Sequence, residues 1–136
     1  MSNFNIISNA RLGSIIAWSN GATRPPERHV RKLADWKSDN GQGRLVSKSL
    51  DQNGGGHFTI HIEDITSKNV LVARFLKTLS VGTSLSLHVV ETPASGDIHV
   101  FDVRSGELLS VHESRDNATG WASRNGYHDA VIAAVP

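Results

Sequence analysis

The segment from His57 to Glu63, which reads His-Phe-Thr-Ile-His-Ile-Glu, constrains the fold more than any other part of the chain. Polar and apolar residues alternate along it without interruption, which is the pattern of a β-strand with one buried face. The inward residues of this predicted strand are Phe58, Ile60 and Ile62, and the outward residues are His57, Thr59, His61 and Glu63. The outward face therefore carries two imidazoles, a hydroxyl and a carboxylate, groups that transfer protons, bind metals or simply face water.

Hairpin-sized strands and two helices account for the rest of the predicted fold. Two prolines open a helix over 25–38, and Ser67 is a suitable N-cap for a second helix over 67–80. The Val-Leu-Val run at 70–72 leaves a strand open as the alternative for that second segment. Further strands are predicted at 4–8, 12–18, 44–50, 84–91, 97–103, 108–112 and 127–135, and a polar surface loop at 115–126. The pattern predicts an α+β fold in a single domain, 1–136, with a mostly antiparallel β-sheet of about 6–8 short strands.

The composition indicates a globular intracellular protein. Apolar residues make up 38% of the 136 residues and charged residues 20%, which is typical of a folded chain. The chain has no cysteine, so disulfides, thiolate nucleophiles and cysteine metal sites are excluded. The first residues lack the features of a signal peptide, and no apolar run is long enough to span a bilayer. We therefore expect a cytoplasmic protein with no membrane partner.

Positive charge is concentrated in the N-terminal part of the chain. Residues 1–49 carry a net charge of +5, and residues 50–136 carry a net charge of −4. The first predicted helix and the residues before it hold much of this charge. The basic residues are Arg24, Arg28, Arg31 and Lys32, and Trp36 follows one turn later. Because arginine binds phosphate through paired hydrogen bonds and an exposed indole stacks on bases, this surface is predicted to bind nucleic acid or an acidic protein.

The segment 120–129 combines aromatic, cationic and polar side chains. Trp121, Arg124 and Tyr127 are residue types that anchor protein contacts, and connecting loops often carry such anchors. The same segment contains a serine, a histidine and an aspartate, the residue types of a nucleophilic triad. Their closeness in sequence and the lack of a nucleophile-elbow motif argue against a triad. We therefore predict a recognition loop here.

The predicted hairpin formed by 97–103 and 108–112 brings two histidines together. With a tight turn, His99 lies opposite His112, and such cross-strand neighbours have Cβ atoms about 5 Å apart. This distance suits shared metal ligation or a shared proton. The pairing depends on register, because a bulge would shift it by one residue. His99 and His112 are therefore the metal-ligand candidates, and no other cofactor site is predicted.

The tetrapeptide His57-Phe58-Thr59-Ile60 resembles the His-hydrophobic-Thr-hydrophobic signature of the 2H phosphoesterases. The resemblance implies two such motifs facing each other across a cleft, with their histidines acting as acid and base on a phosphodiester. It covers four residues, and the nearest second copy, His112-Glu113-Ser114, lacks the hydrophobic second and fourth positions. The catalytic candidates from the polar strand face and this second segment are His57, Thr59, His61 and His112.

No complete catalytic motif is present, and the sequence lacks a Walker A loop and a dinucleotide-binding fingerprint. The sequence therefore favours a small, non-catalytic binding or regulatory protein that acts through the basic helix, the 115–129 loop, or both. The first alternative is a phosphodiester-cleaving or other acid–base enzyme that uses His57 and Thr59 with a distant histidine. The second is a structural protein whose exposed strand edges pair between subunits to form a homo-oligomer.

Overall fold

A computed structural model, which describes residues 2–136, confirms an α+β fold with two antiparallel sheets. The elements in chain order are α1 (Asn3–Asn9), β1 (Ile15–Ser19), α2 (Val30–Asp39), β2 (Gly41–Leu50), β3 (Gly56–Ser67), β4 (Val70–Ser80), β5 (Ser86–Glu91), β6 (Ile98–Phe101), β7 (Leu108–His112), α3 (Arg115–Arg124) and β8 (Val131–Ala134). The larger sheet has the order β4-β3-β2-β1-β5, and the smaller sheet has the order β7-β6-β8. Across 2–136, no helix combines the length and apolar character needed to cross a bilayer.

Strand β3 contains the alternating segment and confirms its orientation as far as His61. Phe58 and Ile60 are fully buried against the core beneath α1. Ile62, which was predicted to be buried, is 41% exposed. The reason is a shift in the pairing of β3 with β4 between His61 and Glu63, where a β-bulge interrupts the alternation.

The segment predicted to be the second helix, 67–80, is instead the edge strand β4. A tight turn joins it to β3, and Lys68 and Asn69 in this turn have φ of 53° and 64°. Two-residue hairpin loops of this kind need the left-handed conformation, which asparagine tolerates better than most residues. Hydrogen-bonded pairing with β3 along the segment favours a strand more strongly than the spacing of its apolar residues favours a helix. The alternative prediction of a strand, which is based on the Val-Leu-Val run, is therefore correct.

The strand predicted at 4–8 is wrong, because this segment forms α1. The side chain of Ser2 caps the helix by accepting a hydrogen bond from the Asn5 amide at 3.2 Å. Ile7 and Ala10 are buried against the larger sheet, so the apolar residues follow a helical spacing. The first predicted helix is confirmed as α2, although it begins at Val30, after the two prolines.

The surface loop predicted at 115–126 is also wrong, because the segment forms α3. Ser114 caps the helix by accepting a hydrogen bond from the Asn117 amide at 3.1 Å. Ala118 and Ala122, four residues apart, are buried against the smaller sheet. Because the buried positions of α3 hold small alanines and a partly buried tryptophan, the helical periodicity is hard to see in the sequence.

The two sheets meet where β7 lies against β2, and a charged side chain ties them together. Arg74 on β4 donates a hydrogen bond to Glu107 at 2.9 Å and another to the Leu108 carbonyl at 3.3 Å. Leu108 and Val46 are both buried at this junction. The junction therefore places the polar face of β3 opposite the end of the smaller sheet.

Candidate functional site

A cleft of about 270 Å³ opens at the junction of the two sheets, and we call it the inter-sheet cleft. Strands β2 and β3 line one side of it, and β7 and α3 line the other. Its polar and aromatic lining residues are Arg44, His61, Asp64, Ser110, His112 and Trp121. The cleft therefore combines two imidazoles, a guanidinium, a carboxylate and a hydroxyl.

On the β3 side, His61 is held by a neighbouring carboxylate. Its Nε2 lies 2.6 Å from Oδ1 of Asp64. Residues three apart on a regular strand point to opposite faces, but the bulge after His61 adds one residue and brings both side chains to one face. Arg74 Nε lies 3.9 Å from the same carboxylate oxygen and offsets its charge. Since Nε2 donates to the carboxylate, Nδ1 of His61 is left for a ligand.

On the β7 side, His112 forms a hydrogen-bonded pair with Ser110. The Oγ of Ser110 lies 2.8 Å from Nε2 of His112, because the two residues are two apart on one strand and share a face. Burial lowers the pKa of His112, and the positive charge of Arg124 lowers it further. With its pKa lowered, His112 is neutral at pH 7, and in the tautomer that carries the proton on Nδ1 its Nε2 accepts a hydrogen bond from the serine hydroxyl.

Arg44 supplies the positive charge of the cleft. It lies directly opposite His61 in the β2–β3 pairing, so both side chains point to the same face. Its Nη1 donates to the Gly13 carbonyl at 2.7 Å, which fixes the guanidinium in place. A guanidinium has five N–H groups, so several remain to bind an anionic ligand.

Two of the four predicted catalytic residues, His61 and His112, line the cleft, and the other two do not. His57 is exposed near the β2–β3 turn. The Oγ1 of Thr59 lies 3.0 Å from Oγ1 of Thr78 on β4, so this hydroxyl is engaged with a neighbouring strand. The structure thus places the distant histidine, His112, in the same cleft as His61 and not in a shared site with His57.

The predicted pairing of His99 with His112 is wrong. The turn is longer than predicted, since the Asp102 amide donates to the Glu107 carbonyl across residues 103–106, and a bulge at Leu109 adds one residue to β7. His112 therefore lies opposite Ile98, and His99 lies opposite Val111. His99 is only 5% exposed and lines a separate cavity. Burial lowers its pKa, and Arg44 adds to the effect. Within the described part of the chain, no three His, Asp or Glu side chains are placed to hold a metal ion together.

The predicted basic surface lies on α2 and the residues before it. Arg24, Arg28, Arg31 and Lys32 are all exposed, and none of them takes part in an ion pair within residues 2–136. Trp36 is partly buried. Its Nε1 donates to the carbonyl oxygen of residue 22 at 2.8 Å, and the Arg24 guanidinium lies 5.9 Å from its ring centre. The positive side chains are therefore accessible to a partner. The indole, in contrast, is hydrogen-bonded to the segment that precedes the helix.

Trp121, Arg124 and Tyr127 lie on and just after α3 rather than in a loop. The rings of Trp121 and Tyr127 stack with centroids 5.5 Å apart and 5° between their planes. Trp121 lines the inter-sheet cleft, and its ring centre is 5.9 Å from that of His112. Arg124 and Trp121 also line an adjoining cavity of about 440 Å³. The predicted recognition segment therefore shares an aromatic wall with the cleft.

A protein-family model covers the whole sequence. The model of the family described as "Uncharacterised conserved protein UCP036055" matches residues 1–136. The chain belongs to this family. No curated protein and no solved structure matches the chain.

The sequence does not predict three of the residues that line the cleft, Arg44, Asp64 and Ser110. For Ser110 a signal exists, because it lies two residues before His112 in a predicted strand and so shares its face. Asp64 reaches His61 only through the bulge, which the unbroken alternation hides. Arg44 is placed by the register of β2 against β3, a long-range property of the fold.

Protonation of His99 and His112 is expected to destabilise the fold. Burial lowers the pKa of both imidazoles below the ordinary value of 6.5. Between 6.5 and the lowered values the unfolded chain binds more protons than the folded one, so the free energy of unfolding should fall as pH drops through this window. Urea unfolding of the parent and of His112→Asn from neutral to mildly acidic pH checks this. The variant should show a weaker pH dependence.

The matched control for this measurement is His128→Asn, because His128 is exposed. It should keep the pH dependence of the parent. A parent whose stability does not change below neutral pH, or a control that loses the dependence as fully as His112→Asn, would contradict the expectation.

Proposed function

We propose that the protein is an acid–base enzyme that cleaves a small phosphoester in the inter-sheet cleft. The observation that carries the proposal is that two histidines with different hydrogen-bond partners line one cleft with an arginine. Phosphoester cleavage needs a base, an acid and positive charge for the phosphoryl oxygens, and these side chains are suited to those roles. A chain without cysteine suits a reducing compartment, so we place the activity in the cytoplasm.

In the proposed reaction, Ser110 attacks phosphorus and His112 acts as the base. The Oγ of Ser110 forms the new bond to phosphorus and gives its proton to Nε2 of His112, 2.8 Å away. His61 gives a proton from Nδ1 to the leaving oxygen, which departs as a neutral alcohol when its bond to phosphorus breaks. Asp64, 2.6 Å from Nε2 of His61, stabilises the protonated ring before this step. Arg44 binds the phosphoryl oxygens.

The second half of the reaction releases phosphate and restores the site. Water attacks the phosphorylated Ser110 and gives a proton to His61, which lost one in the first half. His112 returns its proton to Oγ of Ser110 as the bond between that oxygen and phosphorus breaks. Both imidazoles then have their starting protonation states, and the net reaction is hydrolysis of one ester bond.

A substrate panel tests the proposal. The purified chain should hydrolyse at least one of three classes, an aryl phosphomonoester, an aryl phosphodiester or a cyclic nucleotide, and inorganic phosphate should inhibit competitively. Aryl carboxylic esters serve as the comparison class, because they are uncharged at the reacting group and a guanidinium such as that of Arg44 favours an anionic phosphoryl group. Turnover of carboxylic esters alone, or no turnover of any phosphoester above the buffer rate, would contradict the proposal.

We propose a second function, binding of nucleic acid or an acidic protein, on the basic surface of α2. Four exposed cationic side chains without ion pairs support it: Arg24, Arg28, Arg31 and Lys32. Contacts between such side chains and phosphates release counterions, so binding should weaken steeply with salt. The function is compatible with catalysis in the cleft, since the basic residues and the cleft residues lie on different elements.

Filter binding of mixed DNA and RNA across a salt series tests this second function. The double variant Arg28→Glu/Arg31→Glu should bind more weakly and with a shallower salt dependence, by about one unit of slope for each lost phosphate contact. Arg104→Glu, a charge reversal at an exposed turn, is the control and should bind like the parent. If the parent shows no salt-sensitive binding at low ionic strength, the nucleic-acid part of the proposal is wrong.

A further inference from the structure

The outer edge of β4 carries a concentration of exposed apolar side chains. β4 is the last strand of the larger sheet, so one side of its backbone has no partner strand within residues 2–136. Six of the eleven large apolar residues that are exposed in this range lie on the β3–β4 hairpin. They are Ile62, Ile65, Val70, Val72, Phe75 and Leu76. Long apolar edges of this kind are sites of strand pairing between chains.

The two charged residues of β4, Arg74 and Lys77, do not project outward from this edge, because both side chains bind groups elsewhere in the same chain. Arg74 donates to Glu107 at 2.9 Å across the sheet junction. Lys77 donates to the carbonyl oxygen of Ser38 at 3.0 Å, and its Nζ lies 5.5 Å from the ring centre of Trp18. Charged side chains that point outward from an edge normally keep other strands away. The edge of β4 lacks that protection.

We propose that β4 pairs with β4 of a second copy of this chain, antiparallel and about a two-fold axis at Leu76. The start of the strand is occupied, because the Leu71 amide donates to Oδ1 of Asn125 at 2.6 Å. The pairing with β3 skips Val72, which marks a bulge there. The regular, open edge therefore runs from Ala73 to Ser80. An axis at Leu76 pairs nearly all of it, since Ala73 then lies opposite residue 79 of the second copy.

Charge and symmetry select this register over its neighbours. Two kinds of residue pair alternate in antiparallel strands, so a two-fold axis must pass through a residue opposite itself. An axis at Arg74 or at Lys77 would set two like charges opposite each other. An axis at Phe75 would pair a shorter part of the open edge. With the axis at Leu76, two leucines meet at the axis, and no two residues of like charge lie opposite each other.

Disulfide capture tests the position of the axis. The chain has no cysteine, so Leu76→Cys introduces a single thiol that meets its own copy at the proposed axis. Under mild oxidation this variant should form a covalent dimer quickly. Val103→Cys, at a position that is 56% exposed in the β6–β7 turn, is the matched control and should cross-link slowly. Equal rates for the two variants would overturn the proposed register.

Sedimentation equilibrium tests the association itself. The parent should show a monomer–dimer equilibrium between micromolar and near-millimolar concentration, and Leu76→Lys should be monomeric because two ammonium groups would meet at the axis. Val103→Lys should dimerise like the parent, and circular dichroism should show that both variants are folded. A parent that stays monomeric throughout, or a folded Leu76→Lys that dimerises like the parent, overturns the proposal.

Discussion

Replacement of Phe58 by alanine should lower the free energy of unfolding by about 3–5 kcal/mol. Phe58 is fully buried in the core formed by the larger sheet and α1, together with Ile7, Leu45 and Ile60. The alanine side chain would leave a cavity that these strands cannot close without losing their pairing. Urea or guanidinium unfolding measures the change as a lower midpoint with an unchanged slope.

Ile62→Ala is the matched control, because it truncates the next apolar residue after Ile60 on the same strand. Ile62 is 41% exposed at the bulge, so its truncation should cost less than about 1 kcal/mol. A cost as large as that of Phe58→Ala would mean that the alternation continues past His61. The bulge that brings Asp64 to His61 would then be misplaced.

Replacement of either His61 or His112 by asparagine should lower phosphoester turnover by about 10²–10⁴-fold, the usual contribution of a general acid or base. The two roles differ, so the pH profiles should differ as well. In the parent, activity should fall at acidic pH because the base, His112, becomes protonated at a pKa that burial lowers. His112→Asn has no such base, so its remaining activity should lack this decrease. Steady-state kinetics across pH measures both effects.

The control variants are His57→Asn and His128→Asn, since both histidines are exposed and neither lines the inter-sheet cleft. They should keep the turnover of the parent. Their inclusion separates a catalytic role from a general effect of losing an imidazole. Equal turnover in the cleft variants and the controls would contradict the proposed roles of His61 and His112.

The parts of the fold that depend on short-range pattern could be predicted from the sequence. The alternation through Phe58 and Ile60 predicts β3, and glycine-rich turns predict its hairpin with β2. α2 is predicted because prolines mark its approach and a polar Asn-Gly pair follows it. The predictions for β4 and α3 fail because their structure depends on distant partners. β4 is held by pairing with β3, and α3 by burial of two alanines on the smaller sheet.

The candidate site could be predicted only in part, because two local irregularities build it. The bulge at Ile62 turns Asp64 toward His61, and no residue in the segment marks it. The longer β6–β7 turn and the bulge at Leu109 of β7 set a register in which His99 does not face His112, so the pair of histidines expected there does not form. The meeting of β7 with β2, which brings His112 to His61, is set by packing between sheets, and a strand pattern carries no information about it.

The proposed reaction requires His61, His112 and Arg44 to form one binding site for a phosphoryl group. NMR titration of the histidine ring protons with inorganic phosphate shows whether they do. The resonances of His61 and His112 should shift together and saturate, those of His57 and His128 should stay in place, and Arg44→Ala should abolish the shifts. Equal shifts at all exposed histidines, or none at His61 and His112, would contradict the proposed site.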